Sequence, residues 1–283
     1  MRHTERVSDI FTIAVTEPGD PRIAVFQGLR DKSLRQKREA PGGDMQGVFI
    51  AEGDVVINRA LAAGYKLQCV LVDAKRTQPL PTSFGMVDVY AASERVLEQI
   101  AGYHSYRGAL ACFYRKPLRS AEELLSDRSL VTFVIVEGVN NPTNLGTIMR
   151  CAAGLNVDAL LLSSDSCDPL SRRCCRVSMG EGFEIPYAWL PNLVKGLANV
   201  KESGIEVLAL TPKKDSVDIA DLSYSSDDSV ALLLGADGPG LTPQSMQVAS
   251  RRVKIPMSGT VDSMNVGNAA AIAFYALRQA RVS

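Results

Sequence analysis

The chain has 283 residues, 46% of them apolar and 22% charged, which excludes global disorder and exceeds one typical domain. Its 31 basic and 31 acidic residues cancel, but unevenly: residues 1–120 hold 17 Lys/Arg against 13 Asp/Glu, a net of +4, and the remainder 14 against 18, a net of −4. A surface for a polyanion therefore belongs to the N-terminal part. Residues 1–20 read as a flexible arm. PRIAVFQGLRDKSLRQKRE, 21–39, opens with Pro and carries Ile23, Phe26 and Leu29 at helical spacing, with a basic second half that includes Arg35 and Arg38. That half is either a solvated helix face or one that contacts phosphate.

GVFIAEG then reads as a buried strand, DVVINRALAAG as a helix ended by Gly64, LQCVLVD as a strand and TQPLPTSFG as a loop. MVDVYAA is a strand, SERVLEQIAG a helix capped by Ser93, and GALACFYR a strand. Strands alternating with helices make 21–114 a small α/β domain. GYHSYRG crowds Tyr103, His104, Tyr106 and Arg107 into one loop, a set that suits base stacking or ordinary loop packing. The charged stretch 115–129 reads as a linker with one short helix.

From residue 130 the pattern restarts. VTFVIVEG is a continuous apolar strand of the kind buried on both faces of a parallel sheet. Helix NPTNLGTIMRCAAGLN, strand DALLLSS, helix DPLSRRCCRVSMG and the short extended EIPYAWL follow. Then come helix PNLVKGLANVKESG, strands IEVLALTP and SVALLLG, helix LTPQSMQVAS, strand RRVKIPM and the last helix NVGNAAAIAFYALRQARV. Residues 130–283 therefore form a second domain built on an open, mostly parallel α/β sheet.

Several classes of chemistry are poorly served. Two histidines, His3 and His104, exclude a His-rich metal site, and no metal is expected. The six cysteines, at 69, 112, 151, 167, 174 and 175, contain no C-x-x-C pair and read as reduced thiols of a cytoplasmic protein. No apolar run approaches ~18 residues, and MRHTERVSDI lacks a signal-peptide core, so no membrane association is expected. There is no G-x-S-x-G and no Walker G-K-[ST], and GADGPG reverses the dinucleotide fingerprint.

Ligands of open parallel sheets bind at the carboxyl ends of the strands. The segments there, VNNPTNLGTIMR, LTPKK, GADGPGLTP and PMSGTVDSMNVGN, are rich in free backbone groups and poor in phosphate clamps. They suit a neutral or zwitterionic adenosine ligand. The recurring polar residues are Asn144, Arg150, Asp237, Ser263 and Asn265, which orient well and make a poor acid–base set because Arg stays protonated. Each has a plainer use: Arg150 pairing with a carboxylate, Asn144 starting a helix, Ser263 and Asn265 capping the last one.

NNPTNLGTIMRCA, LLLGADGPGLTP and VKIPMSGTVDSMNVGNAAAIAFYAL resemble, in order and at similar separations, the three motifs of the SpoU/TrmH family of SPOUT RNA methyltransferases. The intervening DPLSRRCCRVSMGEGFEIP also resembles that family, from about Val131 onward. GVFIAEG, the VLVD strand and SERVLEQIAGYHSYRGALACFYR resemble the small RNA-binding domain that often precedes it.

The resemblance implies an α/β C-terminal SPOUT domain, whose mostly parallel sheet carries a deep trefoil knot, preceded by a small α/β RNA-binding domain. It implies S-adenosylmethionine as cofactor, a homodimer through the C-terminal domain, and methyl transfer to a ribose 2′-hydroxyl of rRNA or tRNA, rRNA first. Carried over residue by residue, Arg150 acts on the target ribose, with Asn144, Asp237, Ser263 and Asn265 completing the catalytic set. Leu210, Thr211, Gly235, Ile255 and Met264 border the cofactor. Arg176 touches RNA phosphate, joining Arg35, Arg38, Tyr103, Tyr106 and Arg107 as RNA-binding candidates.

Three departures stand out. Asp237 replaces the usual Glu, Met264 the usual Leu, and Gly267 the usual Ser. Asp237 and Gly267 leave a non-catalytic RNA-binding protein of the same fold as the alternative, and methylation of a base as another.

Overall fold

The structure, a computed structural model, describes residues 6–7, 10–29, 37–38, 42–101, 108–258 and 261–281. Arg35, Tyr103, Tyr106 and Arg107 lie outside the described residues. The chain divides into two compact units: residues 1–116 with Leu170–Gly180, and Pro117–Pro169 with Glu181–Ser283.

The first unit is built on a five-stranded sheet. Its strands are β3 (Ile13–Val15), β4 (Val48–Glu52), β5 (Leu67–Asp73), β6 (Asp88–Ala92) and β7 (Ala109–Tyr114), in the order β3-β6-β5-β7-β4. The pairs β3–β6 and β6–β5 are parallel; β5–β7 and β7–β4 are antiparallel. Two short strands, β1 (Arg6–Val7) and β2 (Ile10–Phe11), pair separately. The loose arm expected over residues 1–20 thus fails for its second half, because Ile13–Val15 is an edge strand of the sheet.

Helices α1 (Asp54–Ala62) and α2 (Glu94–Ala101) accompany the sheet. Of the helix expected over 21–39, Pro21–Phe26 is 3-10 and kinked at Ile23, capped by Asp20 and stopped by extended Gln27, while residues 30–36 and 39 lie outside the described residues. Ile23 and Phe26 are both fully buried and three residues apart, a spacing open to either helix, and the backbone leaves helical geometry at Ile23, with φ −110° and ψ 19°.

The second unit carries a seven-stranded, wholly parallel sheet. Its strands are β8 (Thr132–Glu137), β9 (Ala159–Ser163), β10 (Tyr187–Leu190), β11 (Glu206–Leu210), β12 (Val217–Asp218), β13 (Val230–Gly235) and β14 (Arg251–Lys254), in the order β10-β9-β8-β13-β11-β14-β12. Every residue of β8 and β9 is buried, as continuous apolar strands covered on both faces must be.

The expected linker packs with this unit. Its helix α3 (Ala121–Leu125) opens with a Ser120–Glu123 capping box, and Leu124 and Leu125 join the core formed by β8, β9 and β10. The remaining helices are α4 (Pro142–Gly154), α5 (Arg172–Val177), α6 (Leu193–Glu202), α7 (Pro243–Val248) and α8 (Val266–Ala280). The second domain expected over 130–283 is interrupted, since α5 packs on β4 within the first unit.

Candidate active site

Parallel strands all present their carboxyl ends on one edge, so the loops that follow them gather there. Two loops after β11 and β13 and the segment after β14 enclose a cavity of about 330 Å³. Leu210, Thr211, Gly235, Asp237, Ile255, Ser263 and Met264 all line it, together with Pro212, Lys213, Leu241 and Met257. Its wall depends on Gly235: a Cβ there would stand 2.4 Å from the carbonyl carbon of Gly240 and 2.5 Å from the amide nitrogen of Leu241. Backbone cannot yield as a flexible side chain can, so only glycine lets the loop fold back this closely.

Asp237 ties the site together. Its Oδ1 accepts the Val266 N–H at 2.9 Å. Its Oδ2 accepts the Asn265 amide at 3.0 Å and the Asn144 amide. Asn265 also donates to Asn144 Oδ1 at 3.0 Å. Three of the roughly four acceptor positions of the carboxylate are therefore spent on holding α4, the β13 loop and the start of α8 together. Asp237 is a clamp, and the shorter side chain reaches all three partners.

Local sequence sets this up. Asn141 caps α4, accepting the Thr143 N–H at 2.9 Å, with Pro142 in the first turn. Asn265 caps α8, its Oδ1 accepting the Gly267 N–H at 3.0 Å, while its amide nitrogen bonds Asp237 and Asn144. Gly267 also has a physical reason: a Cβ there would lie 2.8 Å from Thr147 Cγ2, where α8 packs on α4.

Beyond Asp237 lies a cleft of about 440 Å³, which shares Ala236, Asp237, Pro239 and Gly240 with the cavity. Glu137, Asp165, Asn140, Asn141 and Asn144 line it. Glu137 is buried, 6% exposed, at the end of β8. Asp165 accepts a hydrogen bond from Ser163, which in turn accepts the Gly138 N–H at 2.8 Å. Glu137 is the last residue of β8 and Asp165 lies two past the end of β9, so their positions at strand ends are the signal that marks them, without any Gly-, Pro- or Asn-rich stretch.

Arg150 is not brought to this network within one chain. It is exposed on α4 and lines neither cavity nor cleft. It stands six positions after Asn144, about 120° away around a helix, so the two lie on different faces. Beside it, burial pushes the Cys151 thiol up, a shift that the Arg150 charge opposes.

In the first unit, Arg38 is a packing residue and not a free cation. Its guanidinium is bonded to Asp44 at 3.0 Å, to the Gln27 carbonyl and to the Ala24 carbonyl at 3.2 Å. It holds the Asp44 carboxyl below the usual carboxylate range. Arg176 lies 3.3 Å from Glu52 with its side chain 45% exposed. Among the described residues there is no group of three or more His, Cys, Asp or Glu placed to hold a metal, and no helix long and apolar enough to cross a membrane.

The model of the SpoU rRNA Methylase family matches residues 131–275. A Mycobacterium bovis protein described as an uncharacterized tRNA/rRNA methyltransferase is 38% identical over 264 residues, covering 92% of this chain and 90% of its own. The 23S rRNA (guanosine-2′-O-)-methyltransferase RlmB of Acinetobacter baylyi is 29% identical over 199 residues, covering 69% and 79%. The crystal structure of an AdoMet-bound rRNA methyltransferase from Sinorhizobium meliloti has the same fold, with a TM-score of 0.76 at 24% identity over 95% of this chain and 98% of its own. With its three motifs gathered at one edge of a parallel sheet and matched by that family model, the chain belongs to the SpoU rRNA methylase family.

Proposed function

We propose that this protein transfers a methyl group from S-adenosylmethionine to a ribose 2′-hydroxyl of RNA, ribosomal RNA first. The observation that carries this is the convergence of Leu210, Thr211, the 235–241 loop, Ile255, Met257, Ser263 and Met264 on one cavity, where Asp237 in the lining is held by Asn144 and Asn265. The cavity, at about 330 Å³, falls in the range typical of small-ligand pockets. Its chemistry suits the cofactor: Leu210, Ile255 and Met264 offer apolar surface to an adenine, and the glycine-rich loop offers backbone groups to its edges. Lys213 supplies a cation for the amino-acid carboxylate.

S-adenosylmethionine brings a methyl group already activated by a positive sulfur. The protein's task is then to hold the ribose oxygen in line and exclude water, and positioning of this kind can supply much of the rate. Asp237, Asn144 and Asn265 fix the partition between cavity and cleft. Ser263 offers a hydroxyl at the cavity lining. Arg150 orients the ribose and its adjacent phosphate with a planar fork of donors, and the proton leaves to phosphate or water, since a guanidinium stays protonated.

Arg150 does this in a homodimer. It lines neither the cavity nor the cleft of its own chain, and α8, which packs on α4, exposes Ile272 at 44% and Tyr275 at 57%. A second copy covering this face buries both side chains and gives Arg150 the other copy's site to serve. The segment beyond Lys254 shares one cavity with the loops after β11 and β13, and the trefoil knot that the resemblance implies belongs there. The first unit supplies RNA affinity through its excess of positive charge, with Arg176 among its contacts, so binding falls steeply with salt.

The test is to incubate the protein with ribosomal RNA from a strain lacking it and to look for nuclease-resistant 2′-O-methyl dinucleotides. Their formation is the expected result. If methyl groups enter bases instead, the ribose assignment fails. If S-adenosylhomocysteine gives no binding heat at millimolar concentration, the non-catalytic alternative replaces the enzyme.

A further inference from the structure

The cleft beside the cavity is an odd surface for a polyanion. Three carboxylates, Glu137, Asp165 and Asp237, face it, and none of its lining residues is Lys or Arg. A phosphate entering would meet only like charge. Asp237 is occupied by its three amide partners. Glu137 is not: though buried, its two oxygens share only the Thr242 N–H, 3.4 Å from each, and no other hydrogen bond to it occurs among the described residues. That distance lies beyond a good hydrogen bond. A buried carboxylate with its acceptor capacity unspent is costly unless donors arrive with a ligand.

We infer that this cleft receives the base of the target nucleotide and that Glu137 selects guanine. Guanine presents N1–H and N2–H side by side, a bidentate match for a carboxylate. Adenine and cytosine set an amino donor beside a ring-nitrogen acceptor, and uracil flanks its single N3–H with two carbonyls. In each of those a lone pair faces a carboxylate oxygen. Unpaired bases in RNA offer these edges freely. Asp165, exposed and with one oxygen taken by Ser163, adds a second acceptor. The cleft contains Asn144 and shares Asp237 with the cavity, so a base seated against Glu137 sends its sugar toward that partition.

This rests on the methyltransferase reading, and the experiment separates the two. The full chain, saturated with S-adenosylhomocysteine, is titrated with guanosine and with inosine, which lacks only the N2 amino group, by saturation-transfer NMR. Guanosine binds about tenfold tighter than inosine, the lower end of what one bidentate pair discriminates. Glu137→Gln levels the two while S-adenosylhomocysteine affinity stays within about twofold, the change being nearly isosteric. On ribosomal RNA from the deletion strain, the wild type forms 2′-O-methylguanosine. Glu137→Gln lowers kcat/KM by about 30-fold and Asp165→Asn by less.

Equal affinity for guanosine and inosine overturns the proposal, as does a methylated nucleoside other than guanosine. Loss of S-adenosylhomocysteine binding in Glu137→Gln puts Glu137 in the cofactor wall and overturns it too. If the wild type forms no methylated nucleoside at all, the methyltransferase reading has failed, and the guanosine-to-inosine ratio still decides the cleft.

Discussion

The cavity behind Asp237 and the cleft in front of it share four residues and differ in almost everything else. The cavity is made of returning backbone and apolar side chains, with Leu210, Gly235, Ile255 and Met264 in its wall. The cleft is made of carboxylates and amides at the ends of β8 and β9 and the start of α4. Backbone walls recognise by shape and tolerate little change in volume, whereas side-chain walls recognise by donor and acceptor pattern and tolerate isosteric change. Variants on the two sides should therefore fail in different ways.

The largest effect is expected from Gly235→Ala. The new Cβ meets backbone on the facing strand of the loop, so the cavity deforms. S-adenosylhomocysteine should give no heat in calorimetry, and urea unfolding should show a loss of about 1–3 kcal/mol or more from overpacking. Retained binding would show that the loop is looser than its contacts imply.

Arg150→Ala should come next, with turnover abolished and cofactor affinity almost unchanged, because Arg150 lines neither side. Arg150→Lys keeps the charge and loses the planar fork, so activity should fall about 100-fold, roughly 3 kcal/mol in the transition state. Near-wild-type turnover in the Lys variant would reduce the residue to a simple charge. Mixing Arg150→Ala subunits with Gly235→Ala subunits sharpens this further: mixed dimers should recover activity if Arg150 serves the other copy.

Asp237→Ala strikes the shared wall. It leaves two amides and the Val266 N–H short of an acceptor, a cost of about 1.5–3 kcal/mol in stability for bonds made to a charged group. Thermal unfolding measures that loss, and both cofactor and RNA affinities should fall together. If only one fell, the wall would not be shared. The smallest effect belongs to Ile255→Ala, which removes apolar surface from the cavity alone. Cofactor affinity should drop about tenfold, near 1.4 kcal/mol, with RNA affinity unchanged.

Much of this was legible in the amino-acid sequence, for reasons that differ by element. The strands of the parallel sheet appear as unbroken apolar runs because both faces are covered, and β8, β9 and β13 stand out on that account. Ile13–Val15 is too short to show a period, and only its pairing with β6 makes it a strand. Over Pro21–Phe26 the pattern is ambiguous, because apolar residues three apart satisfy two helical geometries. The charge of the 115–129 stretch hid Leu124 and Leu125, which are core residues. Motif residues around the cavity could be named from sequence, but the bonds joining Asn144, Asp237 and Asn265 are long-range and could not. Glu137 closes an apolar strand run, and its poverty of donors is visible only in three dimensions.

The Asn144–Asp237 bond spans 93 positions and the Asn265–Asn144 bond 121. Only a fragment that spans residues 144–265 holds all three residues. A partly folded chain therefore has no binding site, and the cofactor binds the native state alone. By mass action, S-adenosylmethionine at about 100 times its dissociation constant adds roughly 2.7 kcal/mol to stability. The resistance of this chain to proteolysis should then follow the supply of its own methyl donor.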